Sequence, residues 1–128
     1  MSTTKPLVVR TEEQAPEGWD DPVKGRVSWR TLFSGGTTAT EALTAGVAEL
    51  QPGDRLGLHR HTPPEIYYVL EGSGIVTLDG VEHEMAAGAA VFIPSDCEHG
   101  VRNDGASPLR VFYAFAADSF EDIEYRFS

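Results

Sequence analysis

GDRLGLHRHTPPEIYYVLEG, residues 53–72, is the stretch that decides how this chain folds. In an extended strand successive side chains alternate between faces, so His59 and His61 point the same way. The two prolines that follow force a turn, because proline fixes φ and cannot continue a ladder of hydrogen bonds. A second strand then begins at Glu65. Two imidazoles and a carboxylate therefore converge from neighbouring strands, as a divalent metal requires.

A second stretch, GAAVFIPSDCEHGVRN at residues 88–103, contains a further histidine. It runs as an apolar strand, a turn at Pro94 and another short strand that opens with His99. Together the two stretches resemble the two motifs of the cupin superfamily. The matching positions are Gly53, His59, His61, Glu65 and Gly72 in the first motif, and Gly88, Pro94, His99 and Asn103 in the second.

One position departs from the cupin pattern. The family commonly has glycine two residues after the motif's proline, where this chain has Asp96, a residue that also tolerates turn geometry. The resemblance covers roughly residues 40–117. It implies a jelly-roll barrel in which His59, His61, Glu65 and His99 hold a metal.

The rest of the chain is organised as short strands with turn signals between them, and no segment has a convincing helical period. The dipeptide Asp-Gly within LDG, residues 78–80, predicts a tight hairpin. EQAPEGWDDP reads as a loop, whereas the tail DSFEDIEYRFS alternates like a strand. We predict an all-β, single-domain cupin jelly-roll (double-stranded β-helix) barrel over residues 25–128, after an N-terminal arm or loop at residues 1–24.

Composition restricts the possible partners. The chain has 128 residues, of which 41% are apolar, and a net charge of −10, which argues against nucleic acid or an anionic membrane surface. A single cysteine, Cys97, excludes an intrachain disulfide and favours a reducing compartment. The sequence has no apolar run typical of a secretory signal or a membrane span. We expect a cytoplasmic protein whose partner is a small molecule.

The combination of three histidines and a glutamate favours a metal site over separate structural roles. Such a mixed nitrogen and oxygen set suits Fe, Mn, Ni, Co or Zn, and ligand type alone cannot choose among them. An octahedral ion would keep two open positions, which is a requirement for catalysis. The remaining histidine, His83, follows a hairpin turn and is expected to be exposed.

Two tyrosines are candidates for proton transfer. By strand alternation Tyr67 lies on the face of Glu65, whereas Tyr68 faces away. Tyr67 is either a core residue or a functional group, which would be a general base or a metal-contacting phenol. A nearby cation favours the phenolate over the phenol, whose solution pKa is near ~10. Tyr125 would face inward if the tail strand closes the barrel, and its alternative role is packing in the core.

Other features indicate a ligand and a partner. The run LRVFYAFA, residues 109–116, is apolar on both faces and predicts a homodimer. Trp19 could belong to a lid, and Cys97 is either a buried thiol or a group near the site. Four aromatic residues are expected to line the barrel or its partner surface, where one or two could form a cation–π wall: Trp29, Phe33, Phe92 and Tyr113.

A narrower resemblance covers the whole chain. It is similar to the cupin-type lyases that cleave dimethylsulfoniopropionate to dimethyl sulfide and acrylate, in its HRH-x3-E-x-Y run, its His99 motif and a tyrosine 26 residues beyond that histidine. The resemblance implies a β-elimination in which Tyr67, as phenolate, is the base and Tyr125 assists. The alternatives are an Fe(II)-dependent cupin dioxygenase, a metal-dependent isomerase or cyclase, and a non-catalytic ligand-binding cupin.

Overall fold

The computed structural model describes residues 4–128, which form one curled sheet of short strands. Two short 3₁₀ helices, Thr11–Glu13 and Phe120–Asp122, are the helical segments in this part of the chain. Within the same residues no helix combines the length and apolar character needed to cross a membrane. The predicted all-β class is therefore confirmed. The strands are β1 Pro16–Asp21, β2 Gly25–Phe33, β3 Thr44–Leu50, β4 Arg55–Arg60, β5 Glu65–Glu71, β6 Ser73–Leu78, β7 Val81–Ala86, β8 Ala90–Ile93, β9 His99–Arg102, β10 Leu109–Phe115 and β11 Arg126–Phe127.

The sheet has the strand order β7-β6-β9-β4-β2-β3-β10-β5-β8, and β1 pairs with β2 while β11 pairs with β4. Most hydrogen-bonded neighbours are far apart in the sequence, as expected for a jelly roll. Inward-facing side chains of β2, β5 and β10 meet in one apolar core, because every second residue is buried over residues 25–29, 65–69 and 109–115. The first motif contains β4 and β5, and the second contains β8 and β9. Strands of the two motifs pair with each other twice, β4 with β9 in the middle of the sheet and β5 with β8 at one end.

Positive backbone φ angles explain several turn residues. Asp79 and Gly80 have φ of 47° and 81° between β6 and β7, which is the conformation of the predicted Asp-Gly hairpin. Asp96 has a φ of 61°, so the position where cupins commonly have glycine keeps a left-handed conformation here. Its carboxylate forms an ion pair with Arg126, which ties β11 to the second motif.

The motif asparagine has a structural role. The buried Asn103 side chain donates hydrogen bonds from Nδ2 to the carbonyl oxygens of Leu50, at 2.9 Å, and Ser107, at 2.8 Å. The backbone carbonyl of Asn103 accepts a hydrogen bond from the Gly53 amide at 2.9 Å. Asn103 thereby joins the loop after β9 to the turn that precedes β4, and β4 carries the first histidine.

The prediction that EQAPEGWDDP is a loop was wrong over Pro16–Asp21, which form β1 and pair with residues 25–30 of β2. Proline, glycine and aspartate have low strand propensity, but tertiary contacts override it. Trp19 provides that contact, because its ring packs edge-on against Trp29 at 4.9 Å. Residues 1–3 of the predicted arm lie outside the described residues, and the boundary at residue 24 stays a prediction.

The tail is less regular than its alternation predicts. Residues 120–122 form a 3₁₀ turn, and only Arg126 and Phe127 form a strand. The alternation of burial is still present, since Ile123 is buried and Tyr125 is half-buried, while Glu124 between them is exposed. The tail therefore contributes its inward side chains to the core without a continuous ladder.

Candidate metal centre

Three histidines meet inside the barrel. His59 lies in β4 directly opposite His99 at the start of β9, and His61 follows β4. All three side chains are fully buried, and one nitrogen of each lies within 4.8 Å of the others. The antiparallel pairing of β4 and β9 is thus what brings the second motif to the first.

Backbone carbonyls fix the orientation of the three rings. Nδ1 of His59 is 2.8 Å from the Gly57 oxygen, Nδ1 of His61 is 2.8 Å from the Pro63 oxygen, and Nδ1 of His99 is 2.9 Å from the Cys97 oxygen. A carbonyl oxygen can only accept, so each Nδ1 carries the proton and donates it. In a neutral ring the lone pair is then on Nε2, the atom that faces the cluster.

Glu65 completes the cluster from the start of β5. Its Oε1 is 3.2 Å from His61 Nε2 and 3.3 Å from His99 Nε2. Lone pairs of these nitrogens would face a carboxylate oxygen, so each contact needs either a proton or a metal cation between the two atoms. His59 Nε2 and His99 Nε2 are also buried without a hydrogen-bond partner in the described chain. Three nitrogens and one oxygen in this geometry fit a divalent transition metal.

The protonation state of His59 agrees with a role as a metal ligand. Burial, followed by the charge that a protonated His99 would carry, lowers the pKa of His59 from 6.5 to about 3. His59 is therefore a neutral imidazole at physiological pH, which is the form that binds metals.

The two candidate tyrosines lie beside the cluster. Tyr67 is buried on the same face of β5 as Glu65, and its ring centroid is 6.3 Å from that of His99. The Tyr125 ring stacks on His59 with centroids 4.8 Å apart and an interplanar angle of 21°. Burial, and then the charge of Glu65, raise the pKa of both phenols well above 10.0.

A cavity of about 50 Å³ lies next to the cluster. Its walls are mainly apolar and aromatic. Phe120 is a lining residue that the sequence analysis missed, because it lies in the irregular tail. The full lining is Trp19, Val27, Trp29, Ala48, Leu50, Leu56, Glu65, Tyr67, Val101, Val111, Tyr113, Phe120 and Tyr125.

The other residues predicted from the sequence have different environments. Trp29 and Tyr113 line the cavity, Phe33 is half-buried elsewhere, and Phe92 is 66% exposed on the outer face of β8. His83 is exposed on β7, as expected. Cys97 is buried, and its carbonyl rather than its thiol contacts the cluster through His99.

Fold and site together define a small β-barrel of a known class, with a buried cluster of metal-ligand type. The family model for the cupin domain matches residues 46–115, and the chain belongs to this family. It is similar to dimethylsulfoniopropionate lyase DddW of Ruegeria pomeroyi, with 51% identity over 123 residues that cover 96% of this chain and 80% of the relative.

Solved structures share the fold. A crystal structure described as a predicted oxalate decarboxylase from Thermotoga maritima matches with a TM-score of 0.78 and 30% identity, over 87% of this chain and 99% of that one. A chain from the crystal structures of the dimethylsulfoniopropionate lyases RdDddP and RnDddQII matches with a TM-score of 0.68 and 24% identity, over 80% of this chain and 52% of that one. At that identity the second likeness concerns the fold alone.

Proposed function

We propose that the protein is a metal-dependent lyase that cleaves dimethylsulfoniopropionate to dimethyl sulfide and acrylate by β-elimination. The observation that carries this proposal is the 51% identity, over 96% of the chain, to a protein named for that activity. The cavity supports it, because it places a buried tyrosine beside a cluster of metal-ligand type.

In this proposal His59, His61, Glu65 and His99 hold one divalent transition metal. When bound, the ion would stabilise negative charge on the substrate carboxylate as a Lewis acid, and its charge would favour the phenolate of a nearby tyrosine. The carbonyl-bound Nδ1 atoms keep the ligand nitrogens in place while substrate enters and product leaves.

Tyr67 is the proposed base. Its phenolate oxygen takes the proton from the carbon next to the substrate carboxylate, and that electron pair forms the double bond of acrylate. The bond from the β carbon to sulfur breaks at the same time, and sulfur takes the bonding pair and leaves as neutral dimethyl sulfide. A sulfonium needs no acid to leave. Tyr125, stacked on His59, would assist as a second phenol.

The environment suits a cationic substrate. The chain has a net charge of −10, which raises the local concentration of cations. Aromatic rings that line the cavity, such as Tyr113 and Phe120, can contact a sulfonium through their faces.

Metal analysis and product detection test the proposal together. Protein purified without added metal is analysed for transition metals and then incubated with dimethylsulfoniopropionate in a sealed vial, and a chelated sample is the control. We expect equal amounts of dimethyl sulfide and acrylate, no oxygen uptake, and loss of activity on chelation. Oxygen consumption with an aromatic or thiol substrate, without dimethyl sulfide, would instead support the cupin dioxygenase. Carboxylate binding without turnover would support a ligand-binding cupin.

We also propose that the protein is a homodimer, formed through the outer face of β10, β5 and β8. Phe112 pairs with Tyr68 across β10 and β5, and Ile66 pairs with Phe92 across β5 and β8. Three of these four side chains are exposed and the fourth, that of Phe112, is half-buried. A contiguous apolar patch on a sheet is typical of an interface.

A cytoplasmic location is likewise proposed, supported by the free thiol of Cys97.

A further inference from the structure

The indole N–H of Trp29 is buried without an acceptor. Trp29 lies on the inner face of β2 and is 9% exposed. Among the described residues no protein atom accepts a hydrogen bond from its Nε1. Buried donors are nearly always satisfied in native proteins, because an unsatisfied one is costly. The acceptor for this donor must therefore come from outside the described chain, and because the Trp29 ring lines the cavity, a molecule or a water bound there can provide it.

The metal centre does not explain this donor. The other two buried unpaired atoms are His59 Nε2 and His99 Nε2, which belong to the histidine cluster. Nε1 of tryptophan is different, because it can only donate and has no lone pair for a cation. The aliphatic walls of the cavity, such as Leu56 and Val101, offer no acceptor from their side chains.

We propose that Trp29 Nε1–H donates a hydrogen bond to the carboxylate of the substrate. This inference rests on the proposed function, whose substrate has two polar ends, a carboxylate and a sulfonium. A sulfonium has no hydrogen-bond acceptor to offer a neutral N–H, so the carboxylate is the end that Trp29 can recognise. Trp29 would hold the carboxylate, and with it the adjacent carbon, in a fixed position relative to Tyr67.

The second tryptophan provides a matched control. The chain has two tryptophans, and the Trp19 ring also borders the cavity, 4.9 Å from the Trp29 ring. Trp19 is partly exposed, and its indole nitrogen is not among the buried unpaired atoms of the described chain. Substituting either residue with phenylalanine keeps an aromatic ring and removes one N–H.

Calorimetry with acrylate on the Zn²⁺-loaded protein tests the inference, because acrylate has the carboxylate and lacks the sulfonium. We expect Trp29→Phe to bind acrylate at least about tenfold more weakly than wild type, as for loss of a hydrogen bond to a charged group, and Trp19→Phe to lose less affinity than Trp29→Phe. With dimethylsulfoniopropionate, the same Trp29 variant should show a larger rise in KM than fall in kcat. Equal acrylate affinity in the two variants would overturn the inference.

A measurement on folded protein with Trp29 intact covers the case in which Trp29→Phe fails to fold. In Zn²⁺-loaded Trp19→Phe, one indole N–H resonance remains in a ¹H–¹⁵N spectrum, and it belongs to Trp29. Acrylate should shift this resonance, and an unmoved resonance at saturating acrylate, or no acrylate binding by wild type, would overturn the inference. A protein that binds acrylate with this shift yet releases no dimethyl sulfide would contradict the lyase proposal and leave the Trp29 contact standing.

Discussion

Tyr67 and Tyr68 are adjacent in β5 and have opposite environments, since Tyr67 is buried beside Glu65 and Tyr68 is 45% exposed. We expect Tyr67→Phe to lower the rate of dimethyl sulfide release by at least about 10²-fold, the contribution typical of a general base. The metal content should be unchanged, because the phenol is outside the proposed ligand set. Tyr68→Phe is the control and should have wild-type activity. Headspace analysis and metal analysis of both variants check this prediction.

Activity that survives in Tyr67→Phe would assign proton removal to another phenol of the cavity. Tyr113 and Tyr125 are the alternatives, and burial raises the pKa of each. Loss of metal together with loss of activity would mean that Tyr67 supports the metal centre instead.

The buried imidazole of His59 makes the stability of the metal-free protein depend on pH. Its pKa is about 3 in the folded protein and 6.5 in the unfolded chain, so between these values the unfolded chain binds one more proton. Above pH ~6.5 His59 therefore does not lower the free energy of unfolding. As the pH falls from there toward 3, His59 lowers it by about 1.4 kcal/mol per pH unit. Urea unfolding of chelated protein at pH 7 and pH 5 measures the loss.

Two histidine variants isolate this effect. His59→Asn should lose about 2 kcal/mol less between pH 7 and pH 5 than wild type, because it lacks the group that titrates. His83→Asn removes an exposed histidine and should follow the wild-type curve. If both variants follow that curve, another group causes the acid sensitivity.

Strand alternation was sufficient to predict that His59 and His61 share a face and that Tyr67 lies on the face of Glu65, because each residue lies in or next to a regular strand. The structure buries all four side chains. Alternation could not predict the acceptors of the histidine Nδ1 atoms, which are carbonyls in the turns and strands around them. It also gave no reason to single out the N–H of Trp29, since an unpaired donor is recognised only when all its neighbours are known. The contacts of single atoms could therefore be identified only from the packed structure.

At the scale of elements, the sequence predicted strands whose own pattern is strong, such as β5, β6 and the hairpin to β7. It missed β1, because PEGWDD has low strand propensity and is extended only through pairing with β2 and the contact of Trp19. It predicted a longer final strand than β11, because the side chains of the tail alternate between apolar and polar. The tail alternates, but most of it does not pair with a neighbouring strand.

Two motif glycines form a matched pair for testing the turns around β4 and β5. Gly53 and Gly72 have φ of 87° and 78°, which other residues adopt only with strain. A Cβ at Gly53 would meet open space, whereas a Cβ at Gly72 would lie 2.3 Å from the Pro108 carbonyl oxygen. We expect Gly53→Ala to lower the free energy of unfolding by about 1–2 kcal/mol, the cost of the left-handed conformation.

For Gly72→Ala we expect a loss of more than about 3 kcal/mol, because the steric clash with backbone adds to the same conformational cost. Urea unfolding of the two metal-loaded variants measures the difference. Equal losses would mean that the loop containing Pro108 moves aside without cost.

At the scale of the whole molecule, the exposed apolar face of β10, β5 and β8 forms the interface of the proposed dimer. Phe92, which is 66% exposed at its edge, is the residue whose change should disturb a dimer most. We expect wild type to sediment as a dimer at micromolar concentration and Phe92→Glu to sediment as a monomer. Val81→Glu, which places the same charge at an exposed position on β7, should remain dimeric. A wild-type monomer would reject this interface.

The carbonyl oxygens that hold the three histidine rings belong to residues only two positions away along the chain. Ring orientation is therefore encoded locally and does not depend on which ion is present. We therefore expect the proposed metal site to accept several divalent ions without rearrangement, so that the supply in the growth medium decides which one occupies it. Batches of the protein made in different hosts will differ in specific activity while their structures superimpose.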